Sequence, residues 1–188
     1  MDSVIKTFSN KYLDLANPHP DSMVLHDMVQ GTAREGRFAN QCARHCSVLE
    51  HSVLVSYLIE EAAAKPLGLV HDLPEAYTRD IPSPLKNLIP ECKVYEDRLF
   101  DCMVKKFKIK YTDRLWRLVK IADMEAFNLE RVIYFNDTPK VERTKCVKVV
   151  KGYGWVPGLT PTKAIALFYK RWKELGLPND ISNSTKTN

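Results

Sequence analysis

Nowhere does the chain run to eighteen consecutive apolar residues, so it offers no segment that would cross a bilayer as a helix. Its first ten residues, Met1 to Asn10, are polar and carry no apolar signal core. These absences lead to the expectation of a cytoplasmic protein with no membrane partner. Cysteine is sparse and odd in number: Cys42, Cys46, Cys92, Cys102 and Cys146. None of them stands in a Cys-x-x-Cys pair, which argues against a thiolate zinc site and for reduced thiols. There is no internal repeat.

What is present has an ordinary globular balance. Of 188 residues, 45% are apolar and 27% charged, enough for one domain with a sizeable core. The net charge of +5 suits an anionic substrate and is equally compatible with weak nucleic-acid binding.

Helix signals recur along the chain. The break at Asn17-Pro18-His19-Pro20-Asp21 is followed by a short helix over about 22–30, then a loop over 31–46 containing Arg34, Arg37, Phe38 and Arg44. Ser47-Val48-Leu49-Glu50 reads as a capping box that opens a helix over about 48–64. Lys65-Pro66 starts another, which Pro74 should kink or end. The two prolines of Asp80-Ile81-Pro82-Ser83-Pro84-Leu85-Lys86 predict a stiff, extended turn that presents Lys86 at a fixed place. Helices are predicted over 91–107 and 113–135, the second capped by Thr112, and over 161–176, where Pro161 follows Thr160. Residues 137–160 alternate lysine and valine and read as a loop or a two-stranded ribbon. Their charge run is either a solvated face or a binding patch. The tail from Asn179 is polar and is expected to be disordered.

The chemistry concentrates in Val70-His71-Asp72-Leu73-Pro74-Glu75-Ala76-Tyr77-Thr78-Arg79-Asp80. On a helix, Glu75 lies four residues from His71 and three from Asp72, so all three share one face. Ionisable groups so close in an apolar setting need compensation, and a divalent cation supplies it. Two further polar residues fall on apolar stripes: His51 among Val48, Val55, Leu58 and Ala62, and Asp123 between Ala122 and Ala126. Two imidazoles and two carboxylates suit manganese, iron, cobalt or zinc.

The order histidine, His-Asp, aspartate is the signature of the HD-domain metal-dependent phosphohydrolases. The segments Ser47 to Ser52, His71 to Lys86 and Val119 to Asp123 resemble the bacterial HD-type 5'-deoxynucleotidases and the small phage dATP triphosphohydrolases. The resemblance covers about residues 30 to 135 and implies an all-α fold, one domain over 1–178 with a metal at its centre. It implies that His51, His71, Asp72 and Asp123 are the ligands, Glu75 the catalytic glutamate and Asp80 the aspartate beside the sugar. Arg37-Phe38 resembles the family's arginine-aromatic pair, with phenylalanine where tryptophan is usual. On this reading Arg37, Lys86 and Lys120 bind phosphates, and Phe38 and Pro84 wall the base. The reaction implied is metal-dependent hydrolysis of a deoxynucleotide at the α-phosphorus, foremost dATP to deoxyadenosine and triphosphate. The alternatives are a 5'-deoxynucleotidase, or a non-catalytic HD scaffold that binds nucleic acid through 140–151. Nucleic acid is not the expected partner. A homo-oligomer is expected, in the host cytoplasm if the protein is phage-encoded.

Overall fold

The computed structural model describes residues 3–135 and 139–178; the tail expected to be disordered lies outside these. The chain is mostly helical, an all-α fold with one small hairpin. Among the described residues no helix is long and apolar enough to cross a membrane.

The hairpin pairs β1 (Val4–Lys6) with β2 (Tyr12–Asp14) antiparallel. Asn10 at φ 59° turns its tip, a conformation asparagine tolerates better than most residues. Helix α1 is Leu25–Thr32. After a loop, α2 (Val48–Leu58) is buried on nearly every side, its polar Glu50, His51, Ser52 and Ser56 included. Its capping box forms as expected: the Glu50 backbone N–H donates to Ser47 Oγ at 3.1 Å, and the Ser47 N–H donates to Glu50 Oε2 at 3.2 Å.

The helix stops at Leu58 rather than near residue 64. Ile59 is extended (φ −67°, ψ 123°), and the chain doubles back into α3 (Lys65–Val70). Gly68 lets α3 settle on α2, since a Cβ there would run into Ile59 and approach Val55 to 3.4 Å. That helix ends at Val70, and after a turn over 71–74 a new short one, α4 (Glu75–Thr78), begins with Pro74 as its N-cap, so His71, Asp72 and Glu75 do not share the face of one helix as expected. A Cβ at Gly31 would lie 2.7 Å from that of Ala76, so the glycine lets α1 seat α4 closely.

The expected extended turn at 82–86 is instead a helix, α5 (Ser83–Leu88). The correction has a simple cause. Proline's fixed φ fits the first turn of a helix as well as an extended segment, and its missing N–H is not needed there. Helices α6 (Glu91–Lys106) and α7 (Asp113–Tyr134) fall where expected. The Thr112 side chain caps α7 by accepting from the Leu115 N–H at 3.2 Å. Residues 140–152 form a helix, α8 (Lys140–Gly152), not a loop or ribbon. Cys146, Val147 and Val150 recur at helical spacing and turn inward, while Lys145, Lys148 and Lys151 are exposed. The last helix, α9 (Pro161–Glu174), buries Ala164, Phe168 and Trp172, with Ile165 and Tyr169 partly covered.

Candidate metal centre

The four residues expected as ligands arrive from three directions and meet. His51 projects from the middle of α2, His71 and Asp72 from the turn after α3, and Asp123 from α7. His51 Nε2 lies 3.1 Å from Asp123 Oδ1 and 3.5 Å from Asp72 Oδ2. His71 Nε2 lies 3.0 Å from Asp72 Oδ2 and 3.9 Å from Asp123 Oδ1. Among the described residues, His51, His71 and Asp72 offer ligand atoms all within 4.8 Å of one another, a group that could hold a metal ion. Both imidazoles are buried.

The outer nitrogens fix how the rings present themselves. His71 Nδ1 is 2.9 Å from the Gly68 carbonyl oxygen, which can only accept, so Nδ1 carries the hydrogen. His51 Nδ1 is 3.0 Å from Glu130 Oε1. Burial works against charge on Glu130, but Arg37 and His51 hold its carboxyl below the ordinary range, so it too accepts. In the neutral rings each Nε2 then bears a lone pair aimed at carboxylates. Such a set needs positive charge at its middle, from protons or from a cation. Without a metal, protons serve. Burial would lower His71, yet Asp72 and then Asp123 keep it at about 10. His51 is likewise raised, Glu130 and Asp123 outweighing burial and Arg37. Asp72 and Asp123 resist burial and stay well below the usual carboxylate range beside the imidazoles. His71 Nε2 is buried and, although 3.0 Å from Asp72 Oδ2, makes no well-aligned hydrogen bond. Imidazoles held by a carboxylate and a carbonyl, with free nitrogens converging on acids, fit a divalent cation.

The other expected residues surround this centre. Glu75, at the start of α4, is 8% exposed. Its Oε1 accepts from Lys86 Nζ at 3.2 Å, while its Oε2 is buried with no partner. Burial first, then Asp72 and Asp80, push its carboxyl well above the ordinary range, against Lys86 and Arg37. Arg79, at φ 74°, turns the chain after α4. Asp80 beyond it lines a cavity of about 440 Å³ with Arg37, Phe38, Pro84 and Phe127. Phe38 sits in the left-handed region at φ 58°, and its ring meets Phe127 with centroids 5.8 Å apart. Lys120 Nζ donates to Asp123 Oδ2 at 3.0 Å.

Glu130 was not foreseen. It is fully buried, accepts from Arg37 Nε at 3.1 Å and holds His51. Its signal was in the sequence: it continues the stripe Val119, Ala122, Ala126, where an acid needs a partner. Glu96, whose Oε2 accepts from Lys86 Nζ at 3.1 Å, was likewise missed; it carries no comparable pattern.

No family model matches the chain. It is 30% identical over 174 residues to a protein of Escherichia coli (strain K12), the uncharacterized protein YfdR, a match that spans 92% of this chain and 96% of that one.

Proposed function

This chain belongs to the family of Escherichia coli YfdR, and we propose that it is a metal-dependent phosphohydrolase of deoxynucleotides built on an HD-type helical scaffold. The observation that carries the reading is the pair of imidazole Nε2 atoms converging on Asp72 and Asp123, with Glu75 buried beside them. His51, His71, Asp72 and Asp123 would hold the cation. When bound, it would polarise the phosphoryl oxygens and acidify the attacking water.

The chain's own residues supply the rest. Arg37 and Lys120 border the carboxylates and offer positive charge to phosphate oxygens. Burial, Asp72 and Asp80 favour the protonated form of Glu75. One oxygen accepts from Lys86, and a proton on the other, unpartnered oxygen would go to the ester oxygen that leaves. Asp80, Phe38, Phe127 and Pro84 line one cavity, where Asp80 would meet a sugar hydroxyl and the rings and proline would wall a planar base. Binding the α-phosphorus at the centre would release triphosphate from dATP in one step.

A second reading, deoxynucleoside monophosphates, has one specific observation in its favour. Each of the three cations already has a carboxylate: Arg37 has Glu130, Lys86 has Glu75 and Glu96, and Lys120 has Asp123. A panel of ribo- and deoxynucleoside mono-, di- and triphosphates with manganese, cobalt, iron and zinc, read by phosphorus NMR, separates the two. Triphosphate appearing first from dATP supports the first reading, and cleavage of monophosphates alone supports the second. Hydrolysis of none with any cation overturns both.

A further inference from the structure

Among the described residues, two cavities open on the candidate centre. Asp72, Glu75, Lys86 and Lys120 line both. The first is the Phe38–Phe127 chamber described above. The second, about 680 Å³, lies on the α6–α7 side and is larger.

Its wall is aromatic. Phe100, Tyr111 and Trp116 form a mutual cluster, with centroids 5.2 to 5.9 Å apart. Lys120 Nζ stands 4.8 Å from the Trp116 ring centroid. The same lysine therefore touches the ring wall and, through Asp123, the candidate metal centre. The chamber's charges are balanced. Beyond Asp72 and Glu75, its lysines 86, 93 and 120 face Glu96, Asp97 and Asp101. Lys93 is tied to Asp97 at 2.8 Å and Lys86 to Glu96 at 3.0 Å. A polyphosphate tail needs net positive charge and would meet three carboxylates here. A planar organic group finds rings to stack on and acids to accept its hydroxyls. Glu75 Oε2, buried without a hydrogen bond, belongs to a residue of this lining, and Glu96 Oε1 is paired with Lys86 alone.

We propose that the site takes phosphodiesters, seating one organic substituent between Phe38 and Phe127 and the other against Trp116, Tyr111 and Phe100. The inference rests on the phosphohydrolase reading and narrows its substrate class. Water adds to phosphorus, and the P–O bond to the substituent in the aromatic chamber breaks. That oxygen leaves with the bonding pair and takes the Glu75 proton, and the proton lost by the water restores Glu75. The products are an alcohol and a phosphate monoester, with no oxidant or reductant involved.

The dinucleoside monophosphate d(ApA) tests this. Of the three tryptophans, Trp155 and Trp172 are buried in the core, so quenching by a ligand reports on Trp116. In the metal-loaded full chain carrying Glu75→Gln, d(ApA) should quench this fluorescence, and dAMP should quench it far less. The signal should vanish when Trp116→Phe is added. Wild-type protein should split d(ApA) into deoxyadenosine and dAMP. Trp116→Ala should lower the ratio of d(ApA) to dAMP kcat/KM about tenfold, as expected for one lost stack. Simple destabilisation would lower both and leave the ratio unmoved, which counts against the proposal. Hydrolysis of dAMP or dATP without binding or cleavage of d(ApA) overturns the second chamber and leaves the phosphohydrolase intact. Equal quenching by dAMP also overturns it, because the single base would then occupy this chamber. Failure to hydrolyse any phosphoester sinks the parent reading itself.

Discussion

Each polar side chain at the centre has a separable task, so substitutions should separate them. His71→Ala removes a proposed ligand whose Nε2 faces Asp72 Oδ2 at 3.0 Å; bound metal and activity should fall together while the helical circular dichroism persists. Glu130→Gln keeps the side chain's shape but weakens the hold on His51 Nδ1. Cation affinity should drop about ten- to a hundredfold, the usual effect of a residue that orients a ligand. Glu75→Gln should leave metal content intact and cost turnover about a hundredfold. Elemental analysis beside steady-state kinetics checks all three, and loss of metal from Glu75→Gln would make Glu75 a ligand. The raised Glu75 carboxyl also sets a direction for pH. An acid whose pKa is raised keeps its proton at pH values where an ordinary glutamate has lost it, and gives it up as pH rises through the raised value. Turnover that depends on that proton should therefore decline on the alkaline side. A bound cation pulls the same carboxyl down, so the decline should begin at lower pH as the loaded fraction rises. Glu75→Gln should lack this limb, and an unchanged limb in the variant would assign it to another group.

Among the elements, α2 is the one the others are fastened to, and Glu50 is the fastening. Its Oε1 accepts from the Leu159 N–H at 2.9 Å and from Tyr134 Oη at 3.4 Å. Its Oε2 takes the Ser47 N–H and hydroxyl. Trp155 Nε1 donates to the Glu50 carbonyl at 2.8 Å. One side chain thus caps α2 and anchors both the end of α7 and the segment leading to α9. Glu50→Ala leaves those buried N–H groups unpaired and should cost about 2–4 kcal/mol. For a chain of this size that lowers Tm by roughly 5–15 °C, measurable by calorimetry; a change within a degree or two would refute the anchoring role. The capping half of this was legible in Ser47-Val48-Leu49-Glu50, because a cap is a local pattern. The anchoring half was not, because Leu159 and Tyr134 are distant in sequence. The same division runs through the fold. Thr112 ahead of α7 and Pro74 between two helices act within a few residues and could be read. Helix α8 was hidden because its lysines interrupt the Cys146, Val147, Val150 stripe, and only packing on the rest of the molecule decides for helix. The prolines of α5 allow two conformations, and the sequence does not choose between them. At the centre, the order of His51, His71-Asp72 and Asp123 could be read as convergence. The closure of the shell by Glu130, seven residues past Asp123, depends on α7 lying against α2.

At the scale of the whole molecule, the candidate metal centre and the hydrophobic core are built by the same helices. Leu49, Val53 and Leu54 of α2, Leu67 and Leu69 of α3 and Val119 and Ala126 of α7 are buried in the core around the polar set. A cation held by His51, His71, Asp72 and Asp123 would tie these three helical segments together in the folded state alone, since the unfolded chain scatters its ligands. Binding and folding are then linked. A cation at about a hundred times its Kd should stabilise the fold by about 2.7 kcal/mol, which for a chain of this length raises Tm by roughly 5–11 °C. Chelator should lower the Tm of the protein as purified, and returning the cation should restore it. In His71→Ala the added cation should leave Tm unmoved. In Trp116→Ala the full rise should survive, because Trp116 lines the second chamber and is not one of the four proposed ligands. A rise in His71→Ala equal to that of the wild type would place the bound cation away from the converging imidazoles, and the assignment of the centre would fail with it.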